Sequence, residues 1–153
     1  MFKQMWAITI NLVILFFFIF GNANSKEEFF LTLRNDKVNL RQGPSFDYPV
    51  KIFYKKKFLP VLIQDRSDNF RKIRDHENNT GWIHISQLSK KKAAIVIDDK
   101  LILFNSPTIY SNPIAILKKG RLVKIKKCKN YWCKIMTGDF NGWVKKESLW
   151  GLL

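Results

Sequence analysis

Val38-Asn39-Leu40-Arg41-Gln42-Gly43-Pro44, read with Gly81-Trp82-Ile83 further on, sets the architecture, because the chain makes both statements twice. The second time they read Leu101-Ile102-Leu103-Phe104-Asn105-Ser106-Pro107 and Gly142-Trp143-Val144. Between these landmarks each copy runs through an apolar, lysine-rich stretch to an aromatic start, Phe70-Arg71-Lys72-Ile73 or Trp132-Cys133-Lys134-Ile135. Each copy then ends on a leucine, Leu88 or Leu149. Residues 38–88 and 101–149 therefore follow one pattern, and a repeat of this size describes two compact β modules rather than one enzyme core.

Working outward, the runs are short, rich in Val, Ile, Phe and Tyr, and broken by Gly, Pro, Asn and Asp. They predict strands over 37–41, 49–54, 58–64, 70–74 and 81–85 in the first module, with a short 3₁₀ turn over 86–88. In the second module they predict strands over 94–97, 101–104, 114–117, 121–128, 132–136 and 142–145. About five short strands per unit give an all-β chain of two small barrels or pairs of orthogonal sheets. The modules span 31–89 and 93–150, and the Lys90-Lys91-Lys92 connector is too short to let them separate far.

Residues 1–23 read as an export signal, with Lys3 in the n-region, an apolar run over 5–20 and Gly21-Asn22-Ala23 before the cut. The run of about 16 residues falls short of the roughly 20 that span a bilayer, which leaves an uncleaved inner-membrane anchor as the rival reading. The expected compartment is the periplasm. Net charge is +15; the signal carries one Lys and no acid, so the rest carries +14. The charge is uneven, +5 over 32–89 and +10 over 90–153. Such a field favours anionic partners such as a lipid surface or wall polymer, and export argues against nucleic acid. The plainer reading is solubility.

Cys128 and Cys133 are the chain's cysteines, an even pair in an oxidising compartment. Their spacing fits a disulfide across a hairpin with a four-residue loop over 129–132. Zinc needs more ligands, and His76 and His84 lie in the other repeat.

Alternation places Ile73, Ile83, Ile85, Ile135 and Val144 inward. It leaves Phe70, Trp82, His84, Trp132 and Trp143 off the core face, where amphipathic rings with few rotamers make a recognition surface. The same rings have a packing use, under the Pro-containing loops or between the modules. Arg41, at a strand end, either ties loop carbonyls or meets an anionic ligand. Tyr48-Pro49 brings a ring near Phe70 and Trp82 if the loop folds back over the sheet.

These residues resemble the bacterial SH3-like family, in particular its tandem, exported type, over nearly all of the chain beyond the signal. The first repeat is the better copy: Val38-Asn39-Leu40-Arg41, Gly43-Pro44-Ser45, Tyr48-Pro49, then Phe70, Lys72-Ile73, Thr80-Gly81-Trp82-Ile83 and Leu88. The second has Ile102, Phe104 and Ser106 where the first has Asn39, Arg41 and Gly43, which counts against a family ligand site there. The resemblance implies barrels that bind peptides or cell-wall material, with Arg41, Tyr48, Phe70, Trp82, His84, Trp132 and Trp143 as candidate contacts.

No Ser-His-Asp set, Gly-rich phosphate loop, catalytic group, metal cluster or cofactor motif is visible. Asp65, Asp68 and Asp75 read as ordinary turn residues, and Asn78-Asn79-Thr80 as a hairpin turn. His84 reads as a solvated outward residue. The expected function is non-catalytic recognition of peptidoglycan or envelope peptides. A structural adaptor in an envelope complex and a basic protein on an anionic lipid surface are the alternatives.

Overall fold

A computed structural model describes residues 28–152. The signal or anchor segment over 1–23 lies outside the described residues. The first module contains β1 (Phe29–Leu33), β2 (Val38–Arg41), β3 (Val50–Tyr54), β4 (Pro60–Ser67), β5 (Phe70–Arg74), β6 (Thr80–His84) and β7 (Leu88–Ser89). The second contains β8 (Ala93–Val96), β9 (Lys100–Phe104), β10 (Pro113–Lys118), β11 (Leu122–Lys129), β12 (Trp132–Thr137), β13 (Phe140–Lys145) and β14 (Leu149–Trp150). One-turn 3₁₀ helices over Ile85–Gln87 and Lys146–Ser148 precede β7 and β14.

Each module is one seven-stranded antiparallel sheet, ordered β3-β2-β6-β5-β4-β1-β7 and β10-β9-β13-β12-β11-β8-β14. The end strands of neither sheet pair with each other, so the expected barrels are curled sheets whose hydrogen bonding does not close. Register shifts in β4 between Ile63 and Asp65, and in β11 between Ile125 and Lys127, mark bulges that bend the two longest strands. The two-residue β7 and β14 and the opening β1 were not expected. They are too short, or too far outside the repeat, to carry a period of their own.

The alternation holds at Ile73, Ile83, Ile135 and Val144, each 0 % exposed. It fails at Ile85, which is exposed because β6 ends at His84 and the 3₁₀ turn rotates the next side chain outward. Two strands break alternation: Pro60-Val61-Leu62-Ile63 in β4 and all of β8 are buried at every residue. Burial on both faces is what a strand shows when something covers each side. Here the modules cover each other. Ile95 of β8 and its cross-strand partner Leu122 pack into the first module's core, while Ala94, Val96 and Val123 serve the second. Trp150 stands edge-on to Phe30 at 4.8 Å, and the Thr32 hydroxyl donates to the Lys91 carbonyl at 2.9 Å.

The Cys128–Cys133 disulfide is present, joining directly opposed residues with Cα atoms 4.0 Å apart. The loop is shorter than expected. Lys129 pairs with Trp132, and Asn130 takes a left-handed φ of 53° in a two-residue turn.

Two of the aspartates are not ordinary turn residues. Asp65 lies within β4. Asp75 is 1 % exposed and accepts hydrogen bonds from the Tyr54 hydroxyl, the Glu77 and Asn79 backbone N–H groups and the Asn79 side-chain amide, all at 2.8–2.9 Å. It closes the β5–β6 turn, where Asn78 adopts a φ of 66°.

Candidate functional site

In the first module Arg41 ends β2 opposite Trp82. Its Nη1 donates to the carbonyls of Phe46 at 3.0 Å and Tyr48 at 2.8 Å, and its guanidinium lies 5.5 Å from the Phe46 ring centroid. The arginine therefore ties down the loop between β2 and β3, which the Gln42 N–H closes onto the Pro49 carbonyl. Tied this way, the loop lays Phe46 onto the sheet. The Phe46 ring sits 5.2 Å from both Phe70 and His84, and those two rings meet each other at 5.2 Å.

The recognition surface expected around Phe70 is thus occupied by the protein itself. Phe70 is 6 % exposed beneath Phe46. His84 is half-buried rather than solvated, and its Nδ1 caps the following 3₁₀ turn through the Ser86 N–H and hydroxyl. Tyr48 does not reach Phe70. Its ring lies flat on Gly43, where an added Cβ would fall 2.6 Å from three ring carbons. That ring is half-exposed and able to swing away, so Gly43→Ala should cost only about 1 kcal/mol, read as a small drop in the thermal midpoint. Trp82 stays half-buried on β6, paired with Lys72 on its other side.

The second module repeats this frame with different side chains. Phe104 stands opposite Trp143 as Arg41 does opposite Trp82, and Trp132 opposite Lys145 as Phe70 does opposite His84. The Lys146 N–H donates to the Tyr131 carbonyl at 2.8 Å, as Ile85 does to Asn69. With Phe104 in place of Arg41, no guanidinium pins the loop between β9 and β10. That loop is held by its own bonds, Asn105 N–H to the Asn112 carbonyl at 3.1 Å and Ser106 N–H to the Ser111 hydroxyl at 2.9 Å. Ile109, in the position of Phe46, is 57 % exposed and Phe46 is 61 %, so the modules differ in the ring beneath: Phe70 is buried and Trp132 half-buried.

What the first module fills, the second leaves open. A cavity of about 700 Å³ lies between the loop, the β11–β12 turn and the 3₁₀ helix. Thr108 and Ile109 form one wall, Tyr131 and Trp132 another, and Leu149 and Leu152 add apolar surface. Phe104 supports Trp132 edge-on at 5.7 Å. The rim carries Lys145, Lys146 and Glu147, with Lys145 Nζ 3.5 Å from Glu147 Oε1. The cavity thus combines an apolar wall at Trp132 with a charged rim. Trp143 does not line it and instead has the Lys127 ammonium 5.7 Å above its ring.

The seven candidate residues therefore do not form one groove. Arg41, Phe70 and His84 surround a plugged position on one sheet, and Trp132 alone of the seven lines the open one. Phe46, Ile109 and Tyr131 were missed. The first two are loop residues whose correspondence appears once the repeats are aligned through Pro44 and Pro107; Tyr131, in the hairpin turn, gave no sequence signal. Among the described residues no cluster of three His, Cys, Asp or Glu side chains is placed to hold a metal.

A family model described as a bacterial SH3 domain matches the chain twice, over residues 34–90 and 98–151. No curated protein matches the sequence. Among solved structures, NlpC2 from Trichomonas vaginalis is 12 % identical with a TM-score of 0.36, over 82 % of this chain and 49 % of that one. An NlpC/P60 family protein from Bacillus cereus is 10 % identical with a TM-score of 0.36, over 78 % of this chain and 55 % of that one. The chain spans about half the length of these structures.

Proposed function

Because the chain belongs to the bacterial SH3 domain family, we propose that it is an exported, non-catalytic binding module that holds a peptide of the cell envelope, with the peptide stems of peptidoglycan as the leading ligand class. The observation that carries this reading is the asymmetry between modules: the same position is plugged by Phe46 in the first and open beside Trp132 in the second. A short peptide with an aliphatic side chain and a free carboxylate matches the apolar wall and the two rim lysines. The adaptor alternative looked to Trp82 and Trp143 between the modules; Phe30 meets Trp150 there, with the His76 ring 6.1 Å from Trp150.

The test is retention on purified wall sacculi, with soluble stem peptide as competitor. Trp132→Ala is expected to weaken binding by about tenfold or more, as truncation of an aromatic anchor does. Trp82→Ala, on the other module, should leave retention unchanged. Equal retention of the Trp132→Ala protein and the parent removes the cavity from the account.

A further inference from the structure

We infer a second binding site, independent of the peptide cavity, for a multivalent phosphate-class anion at the junction of the two modules. Phe58, in the β3–β4 loop, has a φ of 64°, a left-handed backbone that a bulky residue adopts only when its surroundings hold it there. Its N–H donates to the Leu33 carbonyl at 2.9 Å. Around its ring stand three ammonium groups from three parts of the chain. Lys57 of the same loop lies 5.6 Å from the centroid, Lys91 of the connector 5.4 Å and Lys124 of β11 5.0 Å.

Next to this cluster is a cavity of about 390 Å³, lined by Lys56 from the first module and by Lys118, Lys119, Gly120, Arg121 and Leu122 from the second. Leu122 and Lys124 are two residues apart on β11 and share a face, so cavity and cluster adjoin. Lys119 has Asp99 at 3.9 Å. Among the described residues, no carboxylate lies within ion-pair distance of Lys56, Lys57, Lys91, Lys118, Arg121 or Lys124.

Three like charges gathered around one ring repel one another. The ring face of Phe58 offsets part of that repulsion by cation–π attraction. A single carboxylate would satisfy one or two of these cations. A chain of phosphates, or several phosphate headgroups side by side, satisfies the set, and the Arg121 guanidinium suits a phosphate's paired oxygens. Because both modules and the connector contribute, the anion would also clamp the junction.

The experiment titrates the full chain with inorganic tripolyphosphate by calorimetry, and separately with phosphatidylglycerol vesicles by co-sedimentation. Lys57→Gln/Lys124→Gln is expected to bind tripolyphosphate about tenfold more weakly, while Lys72→Gln/Lys129→Gln, which removes equal charge elsewhere, binds like the parent. Phe58→Asn, which keeps the left-handed backbone, should retain the melting temperature and weaken binding several-fold. Vesicle binding that falls with the same junction variants identifies lipid headgroups as the source, and tripolyphosphate binding without it identifies a soluble phosphate. Equal weakening by both lysine pairs, or no binding of either probe by the parent, overturns the site. Loss of stem-peptide binding in Trp132→Ala leaves it untouched.

Discussion

Gly81→Ala should lower the stability of the chain by about 3 kcal/mol, and Gly142→Ala by a similar amount. A Cβ at Gly81 would fall 2.7 Å from the Arg41 carbonyl oxygen and 2.7 Å from Leu40 Cγ; at Gly142 it would fall 2.6 Å from the Phe104 carbonyl oxygen and 2.9 Å from Leu103 Cγ. Neither obstacle is a flexible tip. The oxygens are backbone atoms of β2 and β9, and Leu40 and Leu103 are 0 % exposed. A methyl group therefore has to push β6 off β2, or β13 off β9, where the sheet bends around its core. Gly120→Ala is the comparison. It has open space around it but a φ of +78°, so it should cost only about 1 kcal/mol of backbone strain. Urea denaturation of the three variants checks the order. A Gly81→Ala protein within about 0.5 kcal/mol of the parent would mean that the strand crossing is not a tight constraint.

That crossing explains why the fold was legible. Gly-Trp at a fixed distance after a short apolar strand marks the point where two strands approach too closely for any side chain. The inward Ile and Val positions give the period-2 pattern of a one-sided sheet. What the pattern did not carry is set by contacts distant in sequence. β1, β7 and β14 exist because the first sheet needs a strand beside β4 and each sheet's last leucine pairs back onto an early strand. The continuous burial of β4 and β8 reads as apolar composition in the sequence and acquires meaning only when the second module is seen to cover the first.

The site was less legible, for a physical reason. Alternation tells which residues leave the core, and Phe70 does; it does not tell what lies on top. The arginine that makes the first repeat the better motif copy is the group that pins the loop and lays Phe46 over Phe70. The second repeat, with Phe104 in that place, lacks the tie and keeps its cavity. The better motif copy is thus the one whose ring is covered, and the poorer copy is the one with the cavity beside its tryptophan.

Asp75→Ala should be the most damaging polar substitution, at about 4 kcal/mol. The carboxylate is the common acceptor for four donors, and removing it strands the Tyr54 hydroxyl in a core position that is 9 % exposed. Tyr54→Phe removes one donor and leaves three, so it should cost about 1 kcal/mol. The same pair makes stability depend on alkaline pH. Burial, then the hydrogen bond and charge of Asp75, push the Tyr54 phenol well above its ordinary value of 10.0. The folded protein holds that proton where the unfolded chain releases it. The stabilisation is therefore complete below about pH 10 and falls by roughly 1.4 kcal/mol per unit above it. Lysines titrate nearby, so the measurement is a difference: urea midpoints of the parent and Tyr54→Phe at pH 8 and pH 11. The parent should lose its advantage over Tyr54→Phe at the higher pH. Parallel pH profiles for the two proteins would show that the phenol is not held neutral by the fold, and an Asp75→Ala protein as stable as the parent would show that the β5–β6 turn does not depend on the carboxylate.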